Sequence, residues 1–475
     1  MSQQDPSAGA RRLPLSTILP FAAPNLPLSA ISVAVFVYLP PYFAGHLAVS
    51  MGLIGLVWGL IRLLDVPVDV GLALLMDRTR TRLGRYRLWL ILGAPVLMIA
   101  LYQLFMAPRG FGGGYLFAWL AALYLGNSIV SLAHSAWGAT LTRHYDERSR
   151  LFSLITAAGV LGTMAVLVII IGASSLGKTD AQGVQAAGWT IIALIPITVA
   201  LAAIRTPERI PVDLRSQRVP WRDYWEVLTK PDLLRLFLAQ MALTLGPGWM
   251  SAIYLFFFKA SRGYTTQESS ILLAAYILSG LPGALLTAML ARRIGKHRAV
   301  MVTTTAFSLG LFSIFIIPRA NLLLGLPTMI FEGAMASGFG LLISAMLADV
   351  GDEIRLKQGK QRISLLYALN TLAIKIASAF AIFITFPLLA ALGFNPAEGA
   401  VNTHAAIHNL DITFLLGPIV FVMLGGACMI GWRLDAHRHG EIRARLEARD
   451  VELEAALQEL PAPFAATALD PRTAG

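Results

Sequence analysis

Twelve apolar runs of about twenty residues or more follow one another along the chain, the first near residues 14–43 and the last near 411–432. A helix rises ~1.5 Å per residue, so each run crosses a hydrocarbon layer ~30 Å thick. Lipid offers no partner for backbone N–H and C=O groups, which forces such runs into helices. Only 14% of the 475 residues are charged, against ~25% in soluble domains. The reading is an all-α polytopic membrane protein, and a soluble fold is excluded.

The net charge of +11 raises the question of nucleic acid, but its distribution answers otherwise. Basic residues crowd alternate connections: Arg11 and Arg12, then Arg78 to Arg87, Arg143 to Arg150, Arg205 to Arg222, Arg292 to Arg298, Arg355 to Arg362 and Arg433 to Arg449. The intervening connections hold scattered charges such as Arg109, Lys178, Arg262 and Arg319. This alternation is the positive-inside pattern. It predicts cytoplasmic N- and C-termini in an inner (plasma) membrane, with lipid and a small-molecule substrate as partners and no nucleic acid. A monomer is expected. The single cysteine, Cys428, allows no disulfide framework and no cysteine metal site. The first apolar segment is too long for a signal-peptide core and is expected to stay as helix one.

A polar connection rich in Pro, Arg and Asp divides the spans six and six. The expected organisation is an N-terminal six-helix bundle over 1–205, a cytoplasmic linker over 206–231, a C-terminal bundle over 232–433 and a cytoplasmic tail over 434–475. The halves echo each other: DRTRTRLGRYR (77–87) is matched by ARRIGKHR (291–298), and RHYDERSR (143–150) by DVGDEIRLKQGKQR (349–362). Such parallel repeats are the plan of the major facilitator fold, with the substrate cavity between the halves. Gly440 to Leu460 has an amphipathic pattern and is read as a solvated tail. The GFGGGY run at 110–115 lacks the Lys-Ser/Thr and the preceding strand of a phosphate loop and reads as an outer turn.

Charges inside these spans carry the functional information, because each costs ~2.5–3.5 kcal/mol on insertion scales. Asp65 and Asp69 are four residues apart and share a helix face. Together they suit a hard cation such as Na+, or one shared proton. The alternative is an ion pair with Arg62, which neutralises one acid and leaves one over. Lys375 shares a helical face with Thr371, Tyr367 and Ser364, with Asn370 nearby, and this polar stripe is expected to line the cavity. Glu332 is either a second protonation site or substrate contact, or a neutral acid bonded locally. His134, below Asn127, Ser128 and Ser131, is either a substrate donor or structural. Trp249 and Tyr254 stack on a sugar ring or simply fill space. Asp77, Arg78 and Arg85, with Arg148, Asp349 and Asp352 from the other paired turns, form the expected cytoplasmic gate.

At these residues the chain resembles the glycoside–pentoside–hexuronide:cation symporters of the major facilitator superfamily. RLLDVPVDVG followed by DRTRTRLGRYRLW is similar to the family's helix-two signature, with Val70 where a proline is usual. ADVGDEIRLKQGKQR and NTLAIKIASAFA resemble its tenth-to-eleventh connection and eleventh helix, with Lys375 at the family's lysine. The resemblance implies Na+- or H+-coupled sugar uptake, with Asp65 and Asp69 as cation ligands, Lys375 between cation and sugar, and Thr371 and Asn370 near sugar. The helix-one aspartate that grips sugar in melibiose-type members is Ser29 here, with Asn25 one turn before it. The helix-four acid is missing, and only Ser131 and His134 stand nearby.

The resulting expectation is a secondary active transporter, not an enzyme, that needs no cofactor beyond a coupling Na+ or H+. The cavity set is Lys375, Thr371, Asn370, Tyr367, Ser29, Asn25, Ser131, His134, Glu332 and Trp249. A proton-driven exporter, or a carrier of lysolipids or other amphipathic solutes on the same fold, is the alternative.

Overall fold

A computed structural model describes residues 13–79, 81–141, 145–208, 229–358 and 363–459. Twelve helices in it are long and apolar enough to cross a membrane. We number them α1 (Leu15–Gly45), α2 (Met51–Arg78), α3 (Tyr86–Phe105), α4 (Gly113–Leu141), α5 (Tyr145–Ser175) and α6 (Asp180–Arg205) in the N-terminal half. The C-terminal half holds α7 (Pro231–Ser261), α8 (Thr266–Ile294), α9 (Lys296–Ile316), α10 (Leu322–Gln358), α11 (Ile363–Ala391) and α12 (His404–Ala427). A last helix, α13 (Ala436–Glu459), follows.

The ends of the even-numbered helices show how local sequence fixes the arrangement. Ser50, Thr179, Thr265, Asn321 and Thr403 accept hydrogen bonds from the first-turn amides of α2, α6, α8, α10 and α12. Each such cap is worth ~1 kcal/mol to its helix. Four of these helices, α2, α6, α8 and α10, end on cations: Arg78, Arg205, Arg292 with Arg293, and Arg355 with Lys357. Positive side chains there complement the negative end of the helix dipole. One face of the bundle is therefore basic and the opposite face is lined with hydroxyl and amide caps.

The halves meet along α2 with α11, α5 with α8, and α1 with α7. Near the face opposite the basic turns, α2 lies against α11 through glycines. A Cβ on Gly55 would fall 2.7 Å from Cδ of Pro387, and one on Gly59 would fall 2.8 Å from Cγ of Phe383. Polar contacts join the halves on the same side. Tyr38 and Ser270 share a hydrogen bond of 2.8 Å, Lys259 pairs with Asp180, and His46 Nδ1 lies 3.2 Å from Glu398 Oε2. The Glu398 amide also donates to the Gly45 carbonyl at 3.2 Å. The seam is closed at this face.

The tail departs from expectation. Instead of lying wholly in solvent, α13 buries Ile442 and Leu446 and rests on the extended end of α10. His439 Nε2 lies 3.1 Å from Asp352 and 3.4 Å from Asp349, and Arg438 lies 3.5 Å from Glu353. Acids at the end of α10 thus meet bases at the start of α13, which the hydrophobic pattern alone does not reveal. The side chains of Leu453 and Leu457, and all of Leu460, lie outside the described residues.

Candidate functional site

The centre of α2 presents Trp58, Arg62, Asp65 and Asp69 at spacings of four, three and four, which is one helical face. Pro67 sits between the two acids inside the helix. It has no N–H, so the Leu63 carbonyl loses its helical partner beside them.

Lys375 reaches this face from α11 in the other half. Its Nζ donates to Asp65 Oδ2 at 2.7 Å and also contacts Asp69 Oδ2 directly. From α4, the Ser128 hydroxyl donates to Asp65 Oδ1 at 2.9 Å. Arg62 Nη1 stands 3.6 Å from Asp65 Oδ2, and its guanidinium is held between the rings of Phe36 and Tyr124, 4.8 and 4.6 Å from their centroids. Aromatic faces attract a guanidinium and fix its plane. The Asp65 side chain is 3% exposed and those of Asp69 and Lys375 about a fifth.

Two carboxylates and two cations cancel, which is what a cluster away from bulk water requires. Arg62 alone leaves one negative charge; Lys375 supplies the missing positive one. Bonding capacity nevertheless remains. Asp69 Oδ1, Arg62 Nε and Asn370 Oδ1 are buried without a hydrogen-bond partner, and Trp58 Nε1 and Tyr124 OH stand by each other without a well-formed bond. A column of polar atoms between α2, α4 and α11 can therefore receive a small ion through the carboxylate and hydroxyl oxygens.

The remaining expected residues distribute unevenly. Thr371 donates to its own helix at the Tyr367 carbonyl, and Tyr367 donates to the Ser344 carbonyl of α10 at 3.1 Å. Asn25 donates to Ile155 of α5 at 2.7 Å, and Ser29 lies with it over Gly159. Ser131 is half-buried on α4, one turn from Ser128. His134 is not among the cavity groups: it is 3% exposed, donates from Nε2 to the Phe21 carbonyl at 2.7 Å and stacks on the Phe21 ring at 4.5 Å. Trp249 is likewise committed to packing, with Nε1 donating to Thr413 at 2.9 Å and the ring against Gly417 of α12. Glu332 is fully buried, beside Gly310 of α9, with both oxygens unpartnered. It does not bond locally and does not join the Lys375 cluster. Ser364, Asp77 and Arg148 have side chains outside the described residues.

The described hydrogen bonds of Arg85, Asp349 and Asp352 lie within their own halves. The backbone amides of Arg85, Tyr86 and Arg87 donate to Glu208 at 2.7, 2.7 and 3.2 Å, and Arg78 is exposed. Asp349 takes two 2.7 Å bonds from Lys296, and Asp352 faces His439. Sequence reasoning names Ser128 only as a neighbour of His134, and it passes over Trp58 and Tyr124. Their signal is spacing: Tyr124 and Ser128 are four apart on α4, and Trp58 extends the Arg62–Asp65–Asp69 face.

Twelve spans in two halves, with a neutralised charge cluster on the seam, define a transporter of the major facilitator class. The chain belongs to the MFS/sugar transport protein family, whose model matches residues 20–436. Its glycoside–pentoside–hexuronide:cation branch is the one the helix-two signature resembles, and the relatives agree. The inner membrane symporter YicJ of Escherichia coli is 23% identical over 410 residues, covering 82% of this chain and 85% of that one. The lactose permease of Leuconostoc lactis is 23% identical, over 94% of this chain and 76% of its own length. The nucleoside transporter NupG superposes with a TM-score of 0.65 at 15% identity, over 88% of this chain and all of that one. At that identity the likeness shows the fold alone.

Proposed function

We propose that the protein carries a sugar or glycoside across the membrane together with a cation, by alternating access, and that Asp65, Asp69 and Ser128 receive the cation in place of Lys375. The printed names of the relatives, among them a glycoside/cation symporter, lactose permeases and a raffinose carrier, support the substrate class. One observation carries the mechanism: Lys375 from one half already occupies both carboxylates of the other.

A cation entering a cluster whose charges already cancel would add an uncompensated charge in a poorly solvated place. Entry therefore favours withdrawal of the Lys375 ammonium. The freed ammonium, with Asn370 and Thr371 near it on α11, becomes available to donate to substrate hydroxyls, so each ligand favours binding of the other. Either Na+ or H+ meets these requirements. The basic turns are assigned to the cytoplasm, with both termini, and the closed face to the outside of an inner or plasma membrane. Asp77 and Arg148 belong to the inner gate in this reading, with Arg78, Arg85, Asp349 and Asp352 exchanging partners as it closes.

Purified protein in proteoliposomes tests this. A sugar gradient should drive Na+ or H+ flux, and Asp65→Asn and Asp69→Asn should abolish concentrative uptake. Full accumulation by either variant sinks the mechanism.

A further inference from the structure

On the closed face, under the loop between α11 and α12, lies a cavity of about 320 Å3. It is far along the spans from Lys375, at the caps of the even-numbered helices. Tyr38 and Asp180 line it from the N-terminal half; Phe256, Lys259, Thr266 and Phe394 line it from the C-terminal half. The loop that roofs it is held in shape by its own side chains. Asn402 accepts from the Asn395 amide at 2.7 Å and donates to the Asn395 carbonyl at 2.8 Å, while Glu398 ties the loop to Gly45.

We propose that this cavity is a second ligand site, separate from the charge cluster, for a small neutral molecule rich in hydroxyls, and that its occupant holds the outer seam shut. The volume lies at the lower end of the ~300–1,000 Å3 typical of ligand pockets, which suits a molecule of about sugar size and not a lipid. Aromatic walls offer apolar faces to C–H groups. The Thr266 hydroxyl lines the cavity, on a residue 6% exposed, beside the Asp180 carboxylate and without a well-formed hydrogen bond to it. Such a group gains a bond that burial otherwise denies it. Lys259 and Asp180 pair with each other, so their charges cancel, yet an ammonium with three protons and a carboxylate with two oxygens keep sites to spare. Glu398, set against His46, also lines the cavity and adds a further acceptor, so donors and acceptors on both walls suit the hydroxyls of a neutral molecule.

The walls come from both halves, so the site exists only while the seam is closed. A ligand that binds one state alone shifts the equilibrium toward it. Binding does not depend on the transport reading; the expected inhibition from outside rests on alternating access as proposed above.

The test uses the full chain in nanodiscs and equilibrium dialysis with labelled sorbitol, methyl β-galactoside or lactose, with and without Na+ and at two pH values. Ala260 is exposed at the rim of the cavity, so Ala260→Trp fills the space without disturbing buried packing. At least one probe should bind saturably and independently of the coupling ion in the parent protein. Ala260→Trp should abolish that binding, and Thr266→Val should weaken it about three- to tenfold, the loss expected for one hydrogen bond. In right-side-out vesicles the same probe should slow uptake by the parent and not by Ala260→Trp. Absence of ion-independent binding, or binding indifferent to both substitutions, overturns the proposal. Ion-independent binding that Ala260→Trp removes, in a protein that transports nothing, supports this site and refutes the symport reading.

Discussion

Lys375 on α11 donates to Asp65 on α2 at 2.7 Å, so a buried ion pair joins the two halves at the proposed cation site. Neither residue has a substitute. Arg62 is 3.6 Å from Asp65 and is held between two rings, and it cannot also serve Asp69 without leaving them.

Lys375→Ala should destabilise the ion-free protein, because removing one partner of a buried pair typically costs ~3–5 kcal/mol. The midpoint of thermal unfolding should fall, and high Na+ or acid should recover much of the loss by supplying another cation to the two carboxylates. A midpoint that does not respond to either ion would show that Lys375 does not stand in for the coupling cation.

Ser128→Ala removes a hydroxyl that donates to Asp65 at 2.9 Å. Hydrogen bonds to charged groups contribute ~1.5–3 kcal/mol, which predicts a ~10- to 100-fold weaker apparent affinity for the coupling ion. Ser128→Thr should retain most of it. Ion titration of uptake rates measures both variants, and equal affinities for parent and Ala variant would remove Ser128 from the site.

Gly59→Val puts carbon where Phe383 already stands. The outer seam should then fail to close, uptake should fall at least tenfold, and Phe383→Ala in the same chain should restore part of it by vacating the space. Additive losses in the double variant would place the defect elsewhere.

Glu332→Leu separates the two acidic regions. Its carboxyl has no partner to lose and lies apart from the Lys375 cluster. Replacing an unsatisfied buried polar group by an apolar one of similar shape is close to neutral or stabilising. Uptake within about twofold of the parent and an unchanged or higher unfolding midpoint are expected; loss of ion coupling would make Glu332 part of the transport chemistry.

Much of this molecule is written in short-range pattern. Apolar length gave the spans, because lipid forces backbone groups to pair within a segment. The Asp65–Asp69 face and the stripe through Lys375 follow from helical spacing and are found where α2 meets α11. What the chain does not spell out is which faces oppose each other. His134 and Trp249 are polar-tipped residues in apolar spans, just as Lys375 is, but their donors end on the backbone carbonyls of Phe21 and Thr413. Only three-dimensional packing distinguishes a donor that finds a carbonyl from one that finds a carboxylate across the seam. Ser128 illustrates the converse: an ordinary serine gains meaning from the acid opposite it. The acid-bearing end of α10 and the bases of α13 are likewise far apart in sequence, so their meeting was not legible from either segment.

The cancelled charge of the central cluster has a consequence for energy supply. With Lys375 and Arg62 against Asp65 and Asp69, the empty site carries no net charge through the membrane. In the proposed cycle a monovalent cation enters, Lys375 is released, and the same region then carries one positive charge. A membrane potential works on moving charge at about 2.3 kcal/mol per elementary charge per 100 mV. Voltage in that proposed cycle therefore acts on the loaded passage and leaves the empty return untouched, because Lys375 and Arg62 balance the two carboxylates whenever the ion is absent.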